Sequence, residues 1–246
     1  MPESHGIARI LDLIKNAEYM IALTGAGISA ESGIPTFRGA NGLWKKFRAE
    51  ELATPWAFQK NPKLVWEWYK WRMGIVAKAK PNPAHYCLAK LEDLGLLKYL
   101  ITQNVDGLHT KAGSKKIVEI HGNIWRAKCT KCDYKMTFNK PPDSVPVSCP
   151  ECNELMRPDV VWFGEPLPRD AIALMFELAR KADLILVIGT SLLVEPAASI
   201  PFIVLEHNGK AIEINLTETK LTPYATVSIQ APAGKTLKKV CDLLSK

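Results

Sequence analysis

Residues 23–39 read LTGAGISAESGIPTFRG, directly after the apolar run Tyr19-Met20-Ile21-Ala22-Leu23. Gly25, Gly27 and Ala30 form the G-x-G-x-x-A pattern of a dinucleotide-binding turn, in which a strand runs into a glycine loop that lets backbone approach a pyrophosphate. Such a turn normally opens a helix. Here Gly33 and Pro35 break it, and Thr36, Phe37 and Arg38 then set an aromatic ring and a cation beside the phosphates. The stretch predicts a nucleotide loop whose second half is a mobile segment that closes over its ligand.

Outward from this loop, short apolar, β-rich runs recur at 19–24, 97–103, 117–121, 183–189, 210–215 and 225–230. Amphipathic helical patterns lie between most of them, as at Ile7 to Ala17, Ala84 to Leu94 and Ala171 to Ala179. This alternation predicts an α/β fold, a doubly wound, Rossmann-like parallel sheet of six strands covered on both faces. In such sheets ligands gather at the carboxyl ends of the strands. Those ends carry Thr24 to Gly27, Thr102 to Asp106, His121 to Asn123, Gly189 to Ser191, and Asn215. Parallel strands bring all of them to one edge, which predicts one site.

The chain has 246 residues and a formal net charge of +7, with 47% hydrophobic residues, enough for a substantial core. The charge suits an anionic partner such as a phosphate-bearing cofactor or a nucleic acid, and by itself does not choose between them. The lysine cluster at 235, 238, 239 and 246 reads as the solvated face of a terminal helix. No apolar run approaches the roughly 18 residues of a membrane span, and the N-terminal residues lack a signal-peptide pattern, so a cytoplasmic location is expected.

Two segments depart from the alternation. Residues 41–77 are helical and rich in tryptophan, and 127–157 are short-stranded and bracketed by cysteines. They are expected to form a smaller inserted domain, a helical module plus a zinc ribbon, beside a nucleotide-binding domain of 1–40, 78–126 and 158–246. Cys129-x-x-Cys132 and Cys149-x-x-Cys152 flank 16 intervening residues (133–148), a zinc-ribbon spacing. Four thiolates fill a tetrahedral zinc and leave no position for an activated water, so the metal is expected to be structural. Redox CxxC pairs are the competing reading. Cys87 and Cys241 stand alone in helical patterns and read as ordinary core residues.

The ordered set GAGISAESGIPTFRGANGLW (25–44), TQNVDGLH (102–109), EIHG around His121, the paired CxxC, VVWFGEPLP (160–168), GTSLLVEPA (189–197) and INL (214–216) resembles the sirtuins, NAD-dependent protein lysine deacylases. The likeness runs from about residue 7 to the C-terminus. Val105, Ile120 and Trp162 stand where other members often carry Ile, Leu and Phe. The resemblance implies that NAD is consumed: the acyl oxygen of a modified lysine attacks the nicotinamide ribose, nicotinamide departs, and an alkylimidate forms. A base then activates a ribose hydroxyl, and free lysine and O-acyl-ADP-ribose follow.

Histidine titrates near about 6.5, so His121 suits the base, with Asn104 positioning ribose and water. Cofactor contacts are expected from Gly25, Ala26, Gly27, Ala30, Pro35, Thr36, Phe37 and Arg38, and from Gln103, Asn104, Val105, Asp106 and His121. By resemblance Gly189, Thr190, Ser191, Asn215, Leu216 and Ala233 serve the adenosine side. Val161, Phe163, Gly164, Glu165 and Val194 are expected along the acyl-lysine tunnel. His85 and His109 match no such role and read as structural.

In VWEWYKWRM at 65–73, Tyr69 and Arg72 are three apart and share a helix face, where a phenol and a guanidinium can grip a carboxylate. The pair resembles that of sirtuins that remove succinyl and malonyl groups, so desuccinylation is expected alongside deacetylation. The plainer reading is an Arg paired with Glu67 or Glu51. The substrate is then an acylated lysine on a protein, with a basic chromatin protein suggested by family analogy alone; membrane association and direct nucleic-acid binding are not expected. Mono-ADP-ribosyl transfer is the alternative within enzymes, hydride transfer a distant one, and a zinc-ribbon nucleic-acid-binding module the alternative outside them.

Overall fold

The computed structural model describes residues 3–36 and 52–244. Strands β1 (Met20–Thr24), β2 (Leu97–Thr102), β3 (Ile117–Glu119), β7 (Leu184–Ile188), β8 (Lys210–Asn215) and β9 (Val227–Gln230) form a six-stranded sheet in the order β3-β2-β1-β7-β8-β9. Every neighbouring pair in it is parallel. The chain winds outward to β3 and then returns beside β1 to start β7, so the crossover direction reverses between β1 and β7. That reversal opens a crevice at the carboxyl edge.

The central strands are buried on both faces, as helix-covered parallel strands must be. Met20 and Ala22 of β1 face α1 (Glu3–Asn16), α4 (Pro83–Asp93) and α8 (Ala233–Leu244), packing with Ile10, Leu88 and Leu237. Ile21 and Leu23 alternate to the other face, against α6 (Arg169–Lys181) and α7 (Ile200–Glu206) through Leu178 and Val204. Among the described residues no helix is long and apolar enough to cross a membrane.

A second sheet, antiparallel in the order β5-β4-β6, comprises β4 (Gly122–Cys129), β5 (Lys135–Thr137) and β6 (Met156–Val160). It packs on α2 (Pro55–Lys60) and α3 (Pro62–Lys78) through Trp66, Tyr69, Met73, Ile124, Met156 and Trp162. Each of these two helices opens with Pro at its start and a side-chain cap, Thr54 accepting from the Ala57 amide and Asn61 from that of Leu64. Trp66 Nε1 donates to the Met156 carbonyl at 2.8 Å, tying α3 to β6. The third strand of the large sheet ends at Glu119, short of the expected 121, because Gly122 already pairs with Val160 in the second sheet. Gly122 has φ +79° and an added Cβ would lie 2.1 Å from the Asp159 carbonyl oxygen, so only glycine makes this passage between sheets.

After β1, residues Ala26–Ser32 form a tight 3-10 helix that Gly33 stops with φ +82°. The expected interruption at Gly33 is there, but seven residues of 3-10 helix precede it where no helix was expected. Phe37, Arg38 and Glu51 lie outside the described residues.

Helix α4 braces this turn. Asn82 caps α4 by accepting from Ala84 N–H, and its amide donates to the Ile28 carbonyl (2.7 Å) and to Ser32 Oγ (3.0 Å). The Asn82 backbone N–H donates to His85 Nδ1 at 3.3 Å, so the His85 proton sits on Nε2, which faces Ser29 Oγ at 3.4 Å. His109 lies beside it, rings 4.8 Å apart, with Nε2 3.0 Å from Thr24 Oγ1.

Both imidazoles are buried, and burial holds His85 at about 4 and His109 well below the ordinary histidine value, the second lowered further by its neighbour. Unfolded, both titrate near about 6.5. Between about 6.5 and about 4 the unfolded chain therefore binds protons that the folded chain refuses, so stability is full above that window and falls as pH drops through it. Melting temperatures from pH 7.5 to 4.5 should decline over this range, and a His85→Gln/His109→Gln variant should flatten the decline. An unchanged slope in that variant would refute the assignment.

Candidate active site

The loops after β1 and β7 meet almost backbone to backbone. Gly25 N–H donates to the Ile188 carbonyl at 3.0 Å and Gly27 N–H to that of Gly189 at 2.8 Å. A Cβ on Gly27 would sit 2.7 Å from the Gly189 Cα, so side chains are excluded by contact. The sequence suggests that these glycine amides meet the pyrophosphate. In the structure their N–H groups are engaged by β7, and what the glycines supply is the close approach itself.

Around this junction the expected polar residues converge. Gln103 donates from Nε2 to Thr190 Oγ1 at 2.9 Å, and Asn215 Nδ2 donates to the Thr190 carbonyl at 3.2 Å, joining the ends of β2, β7 and β8. Asn104 is buried and donates from Nδ2 to the Gly25 carbonyl (3.1 Å) and to Ser29 Oγ (3.2 Å). Ser29 Oγ donates in turn to Asp106 Oδ2 at 2.8 Å, while Asp106 Oδ1 accepts from Leu108 N–H. Burial raises the Asp106 carboxyl, and these two hydrogen bonds and the nearby Arg72 work against that rise.

Ser29 is the hub that sequence reasoning missed. It joins Asn104, Asp106 and His85, and its only signal was its place within the glycine loop.

His121 is half-buried, with Nδ1 3.0 Å from the Gln103 carbonyl. A carbonyl only accepts, so Nδ1 carries the proton and the neutral ring keeps its lone pair on Nε2. Burial lowers the His121 value, opposed by the Gln103 carbonyl. The ring is thus neutral at physiological pH with one tautomer selected, the state a general base needs.

Arg72, Asn104, Val105 and Asp106 line a cavity of about 30 Å³ together with Ala26 and Ser29. Tyr69 is fully buried; its hydroxyl accepts from Trp162 Nε1 at 2.9 Å, which leaves its own hydrogen to donate. The Arg72 guanidinium lies over the rings of Trp68 (4.8 Å) and Tyr69 (5.6 Å). Glu67 pairs with Lys63 at 4.0 Å. Arg72 thus lines the cavity with its guanidinium over the Tyr69 ring, while Tyr69 itself lies behind it in the core.

Glu165 does not stand open toward a tunnel. Its carboxylate takes both Arg157 nitrogens and the Trp162 N–H, and Arg157 stacks 3.4 Å from the Trp162 ring centroid, so Glu165 shapes the turn that displays Phe163 and Gly164. Val161 N–H donates to the His121 carbonyl, seating that strand end beside this histidine. Phe163 and Leu193 are exposed, whereas Val194 is half-buried. Ser191 and Leu216 are exposed at the strand ends, and Ala233 is buried at the start of α8.

The four ribbon cysteines have all their sulfurs within 4.8 Å of one another. Cys129 and Cys152 Sγ are 3.4 Å apart, and Cys132 and Cys149 Sγ 3.6 Å. These distances exceed a disulfide and approach the roughly 3.8 Å edge of a tetrahedron with metal–sulfur bonds of about 2.3 Å. The Lys131 and Cys132 amides donate to Cys129 Sγ, the knuckle arrangement that supports a thiolate. The cluster could hold a zinc ion. Stripping that metal with a strong chelator should lower the melting temperature and abolish protein-substrate turnover, with one equivalent of zinc released; full activity of metal-free protein would contradict a structural role.

The model of the Sir2 family matches residues 25–196, well over half of the chain. The NAD-dependent protein deacylase of Pyrococcus abyssi is 56% identical over 241 residues, covering 95% of each chain. That of Thermococcus kodakarensis is 54% identical over 245 residues, again with 95% of each covered. Among solved structures, a Sir2 homolog–NAD complex superposes with a TM-score of 0.92 at 48% identity, covering 97% of this chain and 93% of the other. A Sir2 protein with a deacetylated p53 peptide and 3′-O-acetyl ADP-ribose gives 0.90 at 38% identity, covering 96% and 98%. With the family model spanning residues 25–196 and relatives more than half identical over nearly the whole length, this chain belongs to the Sir2 family.

Proposed function

We infer that the protein is an NAD-dependent protein lysine deacylase that removes succinyl, malonyl and acetyl groups, releasing nicotinamide, free lysine and O-acyl-ADP-ribose. The observation that carries this reading is the His121 tautomer, with Nε2 unpaired among the described residues at the edge where Asn104, Asp106 and Thr190 converge. NAD supplies an electrophilic ribose carbon with nicotinamide as leaving group. His121 Nε2 takes the proton of a ribose hydroxyl, and the Gln103 carbonyl on Nδ1–H steadies the imidazolium that results. Asn104, whose Nδ2 donates to both the Gly25 carbonyl and Ser29 Oγ, orients ribose and water. Asp106 with Val105 holds the carboxamide, and Thr190, Ser191, Asn215, Leu216 and Ala233 hold the adenosine half.

The acylated lysine enters between the 161–165 turn and the 191–194 segment, pairing as an extended strand. Its acyl carboxylate is received by Tyr69 and Arg72. Support comes from the phenol hydrogen left free by Trp162 and from the planar guanidinium beside it. A basic chromatin protein is the proposed class of target.

We divide the chain as the sequence suggests, with 1–40, 78–126 and 158–246 binding the cofactor and 41–77 with 127–157 forming the small domain. We assign it to the cytoplasm, where zinc thiolates stay reduced.

Arg72→Ala and Tyr69→Phe should each slow desuccinylation by about 10- to 100-fold, the loss of a charge-assisted hydrogen bond, and leave deacetylation within about threefold. Equal losses on matched succinyl- and acetyl-lysine peptides would sink the acyl assignment. The acid limb of kcat/KM should fall below the ordinary histidine value of about 6.5, because protonated His121 cannot accept a proton and burial delays its protonation. His121→Ala should reduce O-acyl-ADP-ribose formation by at least about 100-fold, measured by mass spectrometry.

A further inference from the structure

Cys87 on α4 and Cys241 on α8 are joined by a disulfide that spans 154 positions of the chain. The two helices it ties share a second feature. At its first turn α4 holds the nucleotide loop through Asn82, which donates to Ile28 and Ser32, and through His85 at Ser29. At its first turn α8 holds the same loop, the Gly234 N–H donating to the Glu31 carboxylate. Residues 26–32 therefore lie in a cradle with α4 on one wall and α8 on the other. Both sulfurs sit deeper along these walls, so the covalent bond fixes their separation.

We propose that Cys87 and Cys241 are an oxidative modification site whose disulfide sets the affinity for NAD by fixing the two helices that carry the nucleotide loop. This rests on the deacylase reading above. The oxidant is a disulfide. One cysteine thiolate attacks one of its sulfurs and expels the other as a thiolate; the second cysteine thiolate then displaces the remaining sulfur from the mixed disulfide. The protein gives up two protons and two electrons, and the oxidant leaves as two thiols.

Cys87 is 2% exposed and Cys241 8%, so the finished bond is shielded from thiol reductants in the folded protein. The four ribbon cysteines remain thiols and differ from this pair in both chemistry and place.

The test compares oxidised wild type, wild type reduced under mild denaturation and refolded, and the Cys87→Ala/Cys241→Ala and Cys87→Ser/Cys241→Ser variants. Alkylation of the oxidised protein in non-reducing denaturant with chelator should label the four ribbon cysteines and spare Cys87 and Cys241. Reduced wild type and both variants should melt about 10 °C lower. Their KM for NAD should rise about fivefold, with kcat and the KM for acyl-lysine peptide within about twofold. All six cysteines labelled in the oxidised protein, or one KM for NAD across both redox forms, would overturn the inference. Loss of turnover even in oxidised wild type would count against the deacylase reading instead, and calorimetric NAD affinities of the two redox forms would then decide the inference by the same difference.

Discussion

Where β1 and β7 end, two stretches of backbone approach so closely that no Cβ fits between them, Gly27 against Gly189. The contact sits at the reversal of the sheet, the one place where the chain turns from building outward on one side to building outward on the other. Because the strands are parallel, every polar strand end faces this junction. Because the junction is narrow, the 3-10 turn of 26–32 lies directly over those ends, within reach of Asn104 and Asp106. The polar network around Ser29 follows from that approach. A bulkier residue at either position would lift the turn and separate Ser29 from both partners.

The buried groups at the site are nearly all satisfied by one another, which makes the arrangement specific. Asn104, Asp106 and His121 each have a defined rotamer or tautomer because each meets at least one backbone group that can act only as donor or only as acceptor: the Gly25 carbonyl, the Leu108 N–H and the Gln103 carbonyl. His85 is likewise fixed by a backbone N–H that can only donate. Preorganisation of this kind places the reacting atoms before substrate arrives, so little reorganisation accompanies the chemistry.

The six strands, the zinc-type cysteine set and His121 were legible in the sequence because each has a local signature: apolar runs of strand length, two CxxC pairs, a short motif. The role of the loop glycines was only half legible. Their spacing announces close backbone approach, yet which backbone comes close is decided by the partner strand, 160 residues away in sequence. The Arg157–Glu165 clasp and the bond between Cys87 and Cys241 had no local mark at all, and Ser29 as a hub had only its place in the glycine loop. Each joins segments brought together by tertiary packing, and a lone cysteine in an amphipathic pattern reads the same with a bonded partner as without one.

Gly122 carries a mechanical consequence. It is the residue at which the chain leaves the parallel sheet for the antiparallel one, and His121 immediately precedes it. His121 therefore belongs to neither sheet; it is mounted on their common pivot. Any rotation of one sheet against the other about Gly122 would turn His121 directly, with no residue between it and the pivot.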